Sequence, residues 1–352
     1  MPIKLIPHLA RYSWGHPTQV ATWLQDPTVS QTAEAWFGTH PLGPTRTQTG
    51  ETLAELFKKD PEYYLGSNDS FLPWLVKLLA ASEPLSLQVH PDVSTAKARF
   101  AVGHVSYKDP FAKPEVLVAL THTSALIGFE DEDVAKFRAQ ALGLHEFAEL
   151  LNLSPSGAAI ELWQNQDLSK RLSSQITTLP ASTLGVFAPI VSKWGDDPFL
   201  AISLCLHPVI LLPSEAVEIA PGLIHAYLSG GGLEVMGASD NVLRGGLTKK
   251  PLDTEELLKV LNPSAKPHLF SAPDSGRLDS SLLPAQIFHH ASPTPTQYSA
   301  PALVWCQTGP LTLSSEMVLP SGSAVFIPAA EGGFSIKDGS AWVVTNCASS
   351  RV

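Results

Sequence analysis

Charge is scarce in this chain. Lys, Arg, Asp and Glu make up 16% of its 352 residues against 44% hydrophobic ones, a balance that excludes a disordered chain, which needs high charge and low hydrophobicity. The charge that is present leans acidic. With a formal net charge of −10, nothing general draws the protein to nucleic acid or to an anionic membrane surface, so an anionic ligand would require a local cluster of cations. Cysteine is rarer still. Cys205, Cys306 and Cys347 are odd in number, far apart and without the paired spacing of a zinc site, which argues against a disulfide framework and for thiols in a reducing compartment. Long apolar runs are also missing: no uninterrupted apolar span reaches 18 residues, and the N-terminal MPIKLIPHLARYSW lacks the apolar core of a signal peptide. A soluble, cytoplasmic protein is the expectation.

Turn residues, by contrast, are plentiful. Thirty prolines and 24 glycines separate many short apolar runs, which favours a turn-rich β framework over a helical bundle. The length allows two or three domains. Helices are expected at ETLAELFKKDPEYYLG from Glu51, weakly at Ser94 to Val102, and from Asp131 to Leu151, where Val134, Phe137, Ala141, Leu144, Phe147, Leu150 and Leu151 recur at helical steps. Weaker helical stretches follow at Gly157 to Leu172 and Ser182 to Val191, so a helical block is set between β segments. Strands resume with FLAISLCLHPVILLP. LDTEELLKVL reads as a helix capped by Thr254, and from Leu269 short strands recur at near-regular spacing, as in a second sandwich or barrel.

Chemistry concentrates in a few segments. In LSLQVHPD, alternation places Ser86, Gln88 and His90 on one strand face with Leu85, Leu87 and Val89 on the other, and Pro91 stops the ladder so that His90 sits at a rim. Lys113 and Glu115 share a face in YKDPFAKPEVLVAL, and His225, Tyr227 and Ser229 repeat the alternation in IHAYLSG. Imidazole, carboxylate and amide from separate strands suit Zn²⁺; each residue taken singly also suits a purely structural role. Lys77 is the one charge in LPWLVKLLAA, where it must snorkel, pair or serve a site. In SDNVLRGGLTKK, Arg244, Lys249 and Lys250 lie among glycines in an otherwise acidic chain, an arrangement open to a phosphate site or a solvated basic loop. It is not a P-loop, and the Gly230 to Gly232 run is not a dinucleotide fingerprint.

These segments together resemble one family, the type I mannose-6-phosphate isomerases of the cupin superfamily. LPWLVKLLAASEPLSLQVHPD is similar to its LPFLFK…LSIQ-x-HPD segment, YKDPFAKPE to Y-x-D-x-NHKPE, HAYLSGGGLEVMGASDNVLRGGLTKK to HAY-x-SG…E-x-M…SDNV-x-R-x-G-x-T-x-K, and AEAWFGTHPLGP to an early family block. The resemblance implies one Zn²⁺ held by Gln88, His90, Glu115 and His225. It implies catalytic roles for Arg244, Glu234, Tyr227 and Lys113, and substrate contacts at Trp14, Ser86, Lys77 and Lys250. Three departures touch pocket detail and leave the ligand set whole: Phe111-Ala112 replaces Asn-His, Val93 replaces a lysine, and Ser13 replaces an acidic residue. The implied reaction interconverts mannose 6-phosphate and fructose 6-phosphate by proton transfer through a cis-enediol, with Glu234 as the proton-transferring group and Tyr227 as rival. An iron-dependent cupin oxygenase and a non-catalytic sugar-binding cupin are the alternatives.

The expected architecture is mainly β (α+β). A catalytic cupin domain at 1–128 and 205–268 is interrupted by a helical insertion at 129–204 and followed by a cupin-like β domain at 269–352. The expected partner is a phosphosugar alone, with no nucleic acid or membrane, and the chain is expected to be a monomer.

Overall fold

Alternating apolar and polar side chains bury one face of a strand and leave the other for solvent or a site. This pattern governs the computed structural model, which describes residues 1–291 and 295–347. They form two antiparallel sheets of eleven and nine strands, with helices between Glu132 and Trp194, the mainly β, cupin-type architecture expected from the sequence. Among the described residues no helix is long and apolar enough to cross a membrane.

The first sheet is built around Trp74–Ala81 and His225–Gly237, which pair along eight positions from Gly230↔Ala81 to Gly237↔Trp74. Alternation splits their side chains. Trp74, Val76, Leu78, Leu233 and Val235 share a buried cluster with Trp305, Phe326 and Trp342 of the second sheet. The intervening Leu75, Lys77, Leu79, Glu234 and Met236 face a cavity instead. One sheet therefore provides both the interface with the second sheet and the wall of a pocket. The second sheet also draws in strands from the start of the chain: Ile3–Ile6 pairs with Ala324–Ile327 and with Arg46–Thr47.

His225–Gly237 changes partners along its length. Its first residues pair with Leu87–Val89 and Thr123–Phe129, and from about Gly230 onward it pairs with Trp74–Ala81 and Glu115–Ala119. Glycines make the change possible: Gly230 has φ +82°, and a Cβ on Gly232 would lie 1.9 Å from the Val118 carbonyl oxygen. Gly232→Ala is expected to lower unfolding stability by about 3 kcal/mol or more, because the contact is with backbone and has nowhere to go. Urea unfolding of the variant checks this.

The helices differ in detail from the sequence expectation. Asp131 to Leu151 is two helices, Glu132–Ala141 and His145–Leu150, separated where Gly143 takes φ +70°. The first buries Ala135 and Ala139 while Val134 and Phe137 remain exposed; the small residues let it lie close to its neighbours. Gly157 to Leu172 resolves into Pro155–Gln164 and Gln166–Thr177, and Ser182 to Val191 into Ala181–Leu184 and Ala188–Trp194. The run from Phe199, expected as strand, opens as a buried 3-10 helix, Leu200–Cys205, and becomes strand only at Leu206–Leu211; a wholly apolar run carries no period that separates the two. The cap of Thr254–Val260 is Asp253, whose carboxylate accepts from the Glu256 N–H, rather than Thr254. A carboxylate there also favours the positive helix N-terminus.

Candidate metal centre and catalytic pocket

The strand Leu87–Val89 is short because Pro91 cannot continue the ladder. Leu87 and Val89 pack into the helical block's cluster, leaving Gln88 on the cavity side. Leu85 does not follow them: it packs with Tyr227 and Trp14 on the cavity side, since the regular alternation begins only at Leu87. Register then aligns the site residues. Gln88 stands opposite His225 on one side and Arg244 on the other, and Glu115 opposes Met236.

His90, Glu115 and His225 are all buried, with ligand atoms within 4.8 Å of one another. His90 Nδ1 faces the Asn241 carbonyl at 2.8 Å and His225 Nδ1 the Leu223 carbonyl at 3.0 Å. A carbonyl can only accept, so both Nδ1 atoms carry the proton and both Nε2 atoms present lone pairs. Those lone pairs point at a carboxylate: His90 Nε2 is 3.3 Å from Glu115 Oε1 and His225 Nε2 is 3.6 Å from Oε2. Neither Nε2 has a hydrogen-bond partner among the described residues. Burial lowers the proton affinity of both imidazoles, His225 to about 4, keeping them neutral. Burial alone would raise the Glu115 carboxyl, but the Lys113 ammonium, whose Nζ lies 2.8 Å from Oε1, opposes the rise, and the carboxyl is held well below the usual range. Three acceptor groups converging in a buried space repel one another unless a cation lies between them, and nitrogen and oxygen donors of this kind fit Zn²⁺. Gln88, opposite His225 in the ladder, lines the cavity beside them.

Behind His90, Asn241 is held by its side chain. Its amide nitrogen donates to the Asp109 and Phe111 carbonyls at 2.8 and 2.9 Å, and its Oδ1 accepts from the Lys108 N–H at 2.7 Å. Those bonds fix the carbonyl that sets the tautomer of His90, the kind of outer support that orients metal ligands.

The cavity beside Glu115 measures about 710 Å³ and is lined by Trp14, Lys77, Ser86, Gln88, Lys113, Glu115, Tyr227, Glu234, Arg244 and Lys250. All twelve residues named from the sequence thus lie in this cavity or, for His90 and His225, directly beside Glu115. Glu34, His40 and Asp240 also line it and were missed. An acidic residue among the apolar ones of AEAWFG is the signal that could have pointed to Glu34.

Two groups of charged residues line the cavity. Lys77 opposes Glu234 across one strand pair and Trp36 across the other. Its ammonium sits 3.3 Å from Glu234 Oε2 and 3.5 Å from Glu34 Oε1, while the Trp36 indole donates to Glu34 at 2.8 Å. Burial disfavours the Lys77 charge, but Glu34, Glu234 and Glu115 outweigh it and hold the ammonium protonated. Burial raises the Glu234 carboxyl to about 7, with Lys77 opposing the rise and Glu115 adding to it. The Tyr227 hydroxyl is buried without a hydrogen-bond partner among the described residues, and burial, then Glu234 and Glu115, keep it protonated. The second group is cationic. Arg244 and Lys250 have no carboxylate partner among the described residues, and burial, joined for Lys250 by repulsion from Arg244, lowers the proton affinity of both. Cations without a carboxylate partner suit an anion.

Comparison with known proteins agrees with this geometry. Residues 3–132 match the model of the family described as phosphomannose isomerase type I, catalytic domain. Mannose-6-phosphate isomerase of Escherichia coli strain K12 is 31% identical over 378 positions, covering 95% of this chain and 96% of that protein. The Salmonella typhimurium enzyme is 33% identical over 375 positions, covering 93% and 95%. A crystal structure of mannose 6-phosphate isomerase with zinc bound superposes with a TM-score of 0.85 at 28% identity, covering 98% of this chain and 99% of that one. The apo form from Salmonella typhimurium gives 0.84 at 27%, with the same coverage. Likeness that runs nearly end to end in both sequence and fold leaves one assignment: this chain belongs to the type I phosphomannose isomerase family.

Proposed function

We propose that the chain is a zinc-dependent aldose–ketose isomerase interconverting mannose 6-phosphate and fructose 6-phosphate. The observation that carries this is the convergence of two unprotonated imidazole nitrogens on a buried carboxylate, beside a cavity lined by the buried Glu234 carboxyl and by Arg244 and Lys250. Gln88, His90, Glu115 and His225 would hold Zn²⁺, which when bound supplies Lewis-acid polarisation of the substrate carbonyl.

The rest is the work of side chains. Isomerisation removes a proton from the carbon beside the carbonyl and returns one to the neighbouring carbon, by way of a cis-enediol. Glu234 is the group proposed to move it: buried, facing the cavity, and tuned toward neutrality, where a general base is most effective. Lys77 keeps the Glu234 carboxylate accessible despite its burial. Tyr227 is the rival, disfavoured because its hydroxyl is held protonated. Arg244 and Lys250 are proposed to hold the phosphate, with Lys113, Ser86 and Trp14 orienting the sugar. Neither an iron oxygenase nor a non-catalytic binding protein is favoured by the relatives, which are isomerases by name.

Lys77 gives a test of sign. The base works as carboxylate, so kcat/KM falls as pH drops through the Glu234 pKa. Lys77→Met removes the charge that lowers this pKa and is expected to move the acid limb to higher pH by about one unit or more; a pH–rate profile checks it. The function as a whole is tested by a coupled assay for fructose 6-phosphate from mannose 6-phosphate. No turnover by fully zinc-loaded protein would overturn the assignment.

A monomer is proposed as the catalytic unit. Buried, unpaired Cys205 and Cys306 support a reducing, cytoplasmic setting. We assign catalysis to 1–128 with 205–268, a covering role to the helices of 129–204, and support of the first sheet to 269–352, to which Ile3–Ile6 is lent.

A further inference from the structure

Cations from two parts of the fold line the cavity. Arg244, Lys249 and Lys250 come from the β framework, while Lys193 and Trp194, lining the same cavity, end the helix Ala188–Trp194 of the helical block. That helix is fastened to the loop opposite by two contacts. Trp194 Nε1 donates to the Pro84 carbonyl at 3.0 Å, and Lys193 Nζ donates to the Glu83 carboxylate. Glu83 and Pro84 also line the cavity.

The two contacts differ in kind. Trp194 makes a partly buried hydrogen bond to backbone. The Lys193 and Glu83 side chains are 34% and 38% exposed, and an ion pair so open to water contributes little to folding. Lys193 also lies over the Trp194 ring, 5.8 Å from its centre, so the ammonium is positioned by its neighbour as well as by Glu83. A carboxylate that engages a lysine inside an anion-binding cavity occupies the place an incoming anion would take. A phosphate monoester dianion offers such a donor more negative charge and three acceptor oxygens.

We infer that Lys193 is a further recognition residue for the phosphate monoester, supplied by the helical block and held by Glu83 until substrate displaces it. This rests on the reading of the cavity as a sugar-phosphate site. It gives the helical block a direct part in substrate selection, where a plain strap between Lys193 and Glu83 would give it none.

The two roles predict different signs. Zinc-loaded wild type, Lys193→Met, Glu83→Gln and the double variant are compared by the coupled isomerase assay and by inhibition with inorganic phosphate, at low and high ionic strength. For recognition, Lys193→Met raises KM and the phosphate Ki about two- to fivefold with a much smaller change in kcat, and the effect shrinks with added salt. Glu83→Gln lowers both constants, and does nothing once Lys193 is Met. Shifts in the same direction for both single variants, or constants unmoved by Lys193→Met, would overturn the inference in favour of a strap. Thermal unfolding identifies a variant that has failed to fold, and Lys193→Gln, which keeps a donor without the charge, then takes its place. A wild type that binds phosphate by calorimetry but turns over no mannose 6-phosphate would sink the isomerase reading alone, and phosphate affinity of the variants would still decide the role of Lys193.

Discussion

Chelation of the metal is expected to reduce turnover of mannose 6-phosphate by about 10³-fold or more, and added Zn²⁺ to restore it. A Lewis acid at a developing oxyanion contributes several kcal/mol, and each 1.36 kcal/mol is tenfold in rate. His225→Ala should lose both the metal and the rescue, because His225 Nε2 is committed to the centre by its Nδ1 bond to the Leu223 carbonyl. Metal content and activity measured on the same sample separate the outcomes. Full activity in protein shown to be free of metal would remove the centre from the mechanism. A second readout is thermal: a ligand that binds only the folded state stabilises it by mass action, so the chelated protein should melt at lower temperature. The physical basis is the acceptor conflict between His90, His225 and Glu115, which a cation relieves.

Glu234→Gln is expected to leave Zn²⁺ bound and lower kcat by about 10²- to 10⁴-fold, the range typical of a lost general base. Gln has the shape of Glu but cannot take up the proton. It also leaves Lys77 with Glu34 still beside it at 3.5 Å, so the buried ammonium is not stranded and the variant should fold. Should kcat remain near normal, proton transfer would pass to Tyr227, and Tyr227→Phe would then carry the loss. A fall in zinc content along with kcat would instead mean that Glu234 acts through the metal centre.

Why the twelve site residues were legible while their partners were not has a physical explanation. Strand alternation has period two, so Ser86, Gln88 and His90, or His225 and Tyr227, can be placed on one side of a strand from spacing alone. A charge in an apolar run, such as Lys77, declares that something must compensate it. Neither signal says what lies across the gap. Glu34 pairs with Lys77 from 43 positions earlier, and Asn241 meets His90 from 151 positions later; nothing local links them. The helices were legible as a block and blurred at their ends, because Gly143 at φ +70° interrupts a periodic pattern that otherwise continues through it.

By itself the sequence determined that this protein is mainly β with helices set between strands, and that imidazole, amide and carboxylate stand at strand positions fit for a metal. Through its resemblance it also determined the family. Tertiary structure alone decided that the strand His225–Gly237 changes partners at its glycines, bringing Tyr227 and Glu234 to the cavity and His225 beside Glu115, that Lys77 is shared between two carboxylates, and that the helical block lends Lys193 to the cavity lining. Composition and periodicity act over a few residues, whereas a site forms where distant segments meet, and that meeting is fixed by register and by the burial of opposite strand faces.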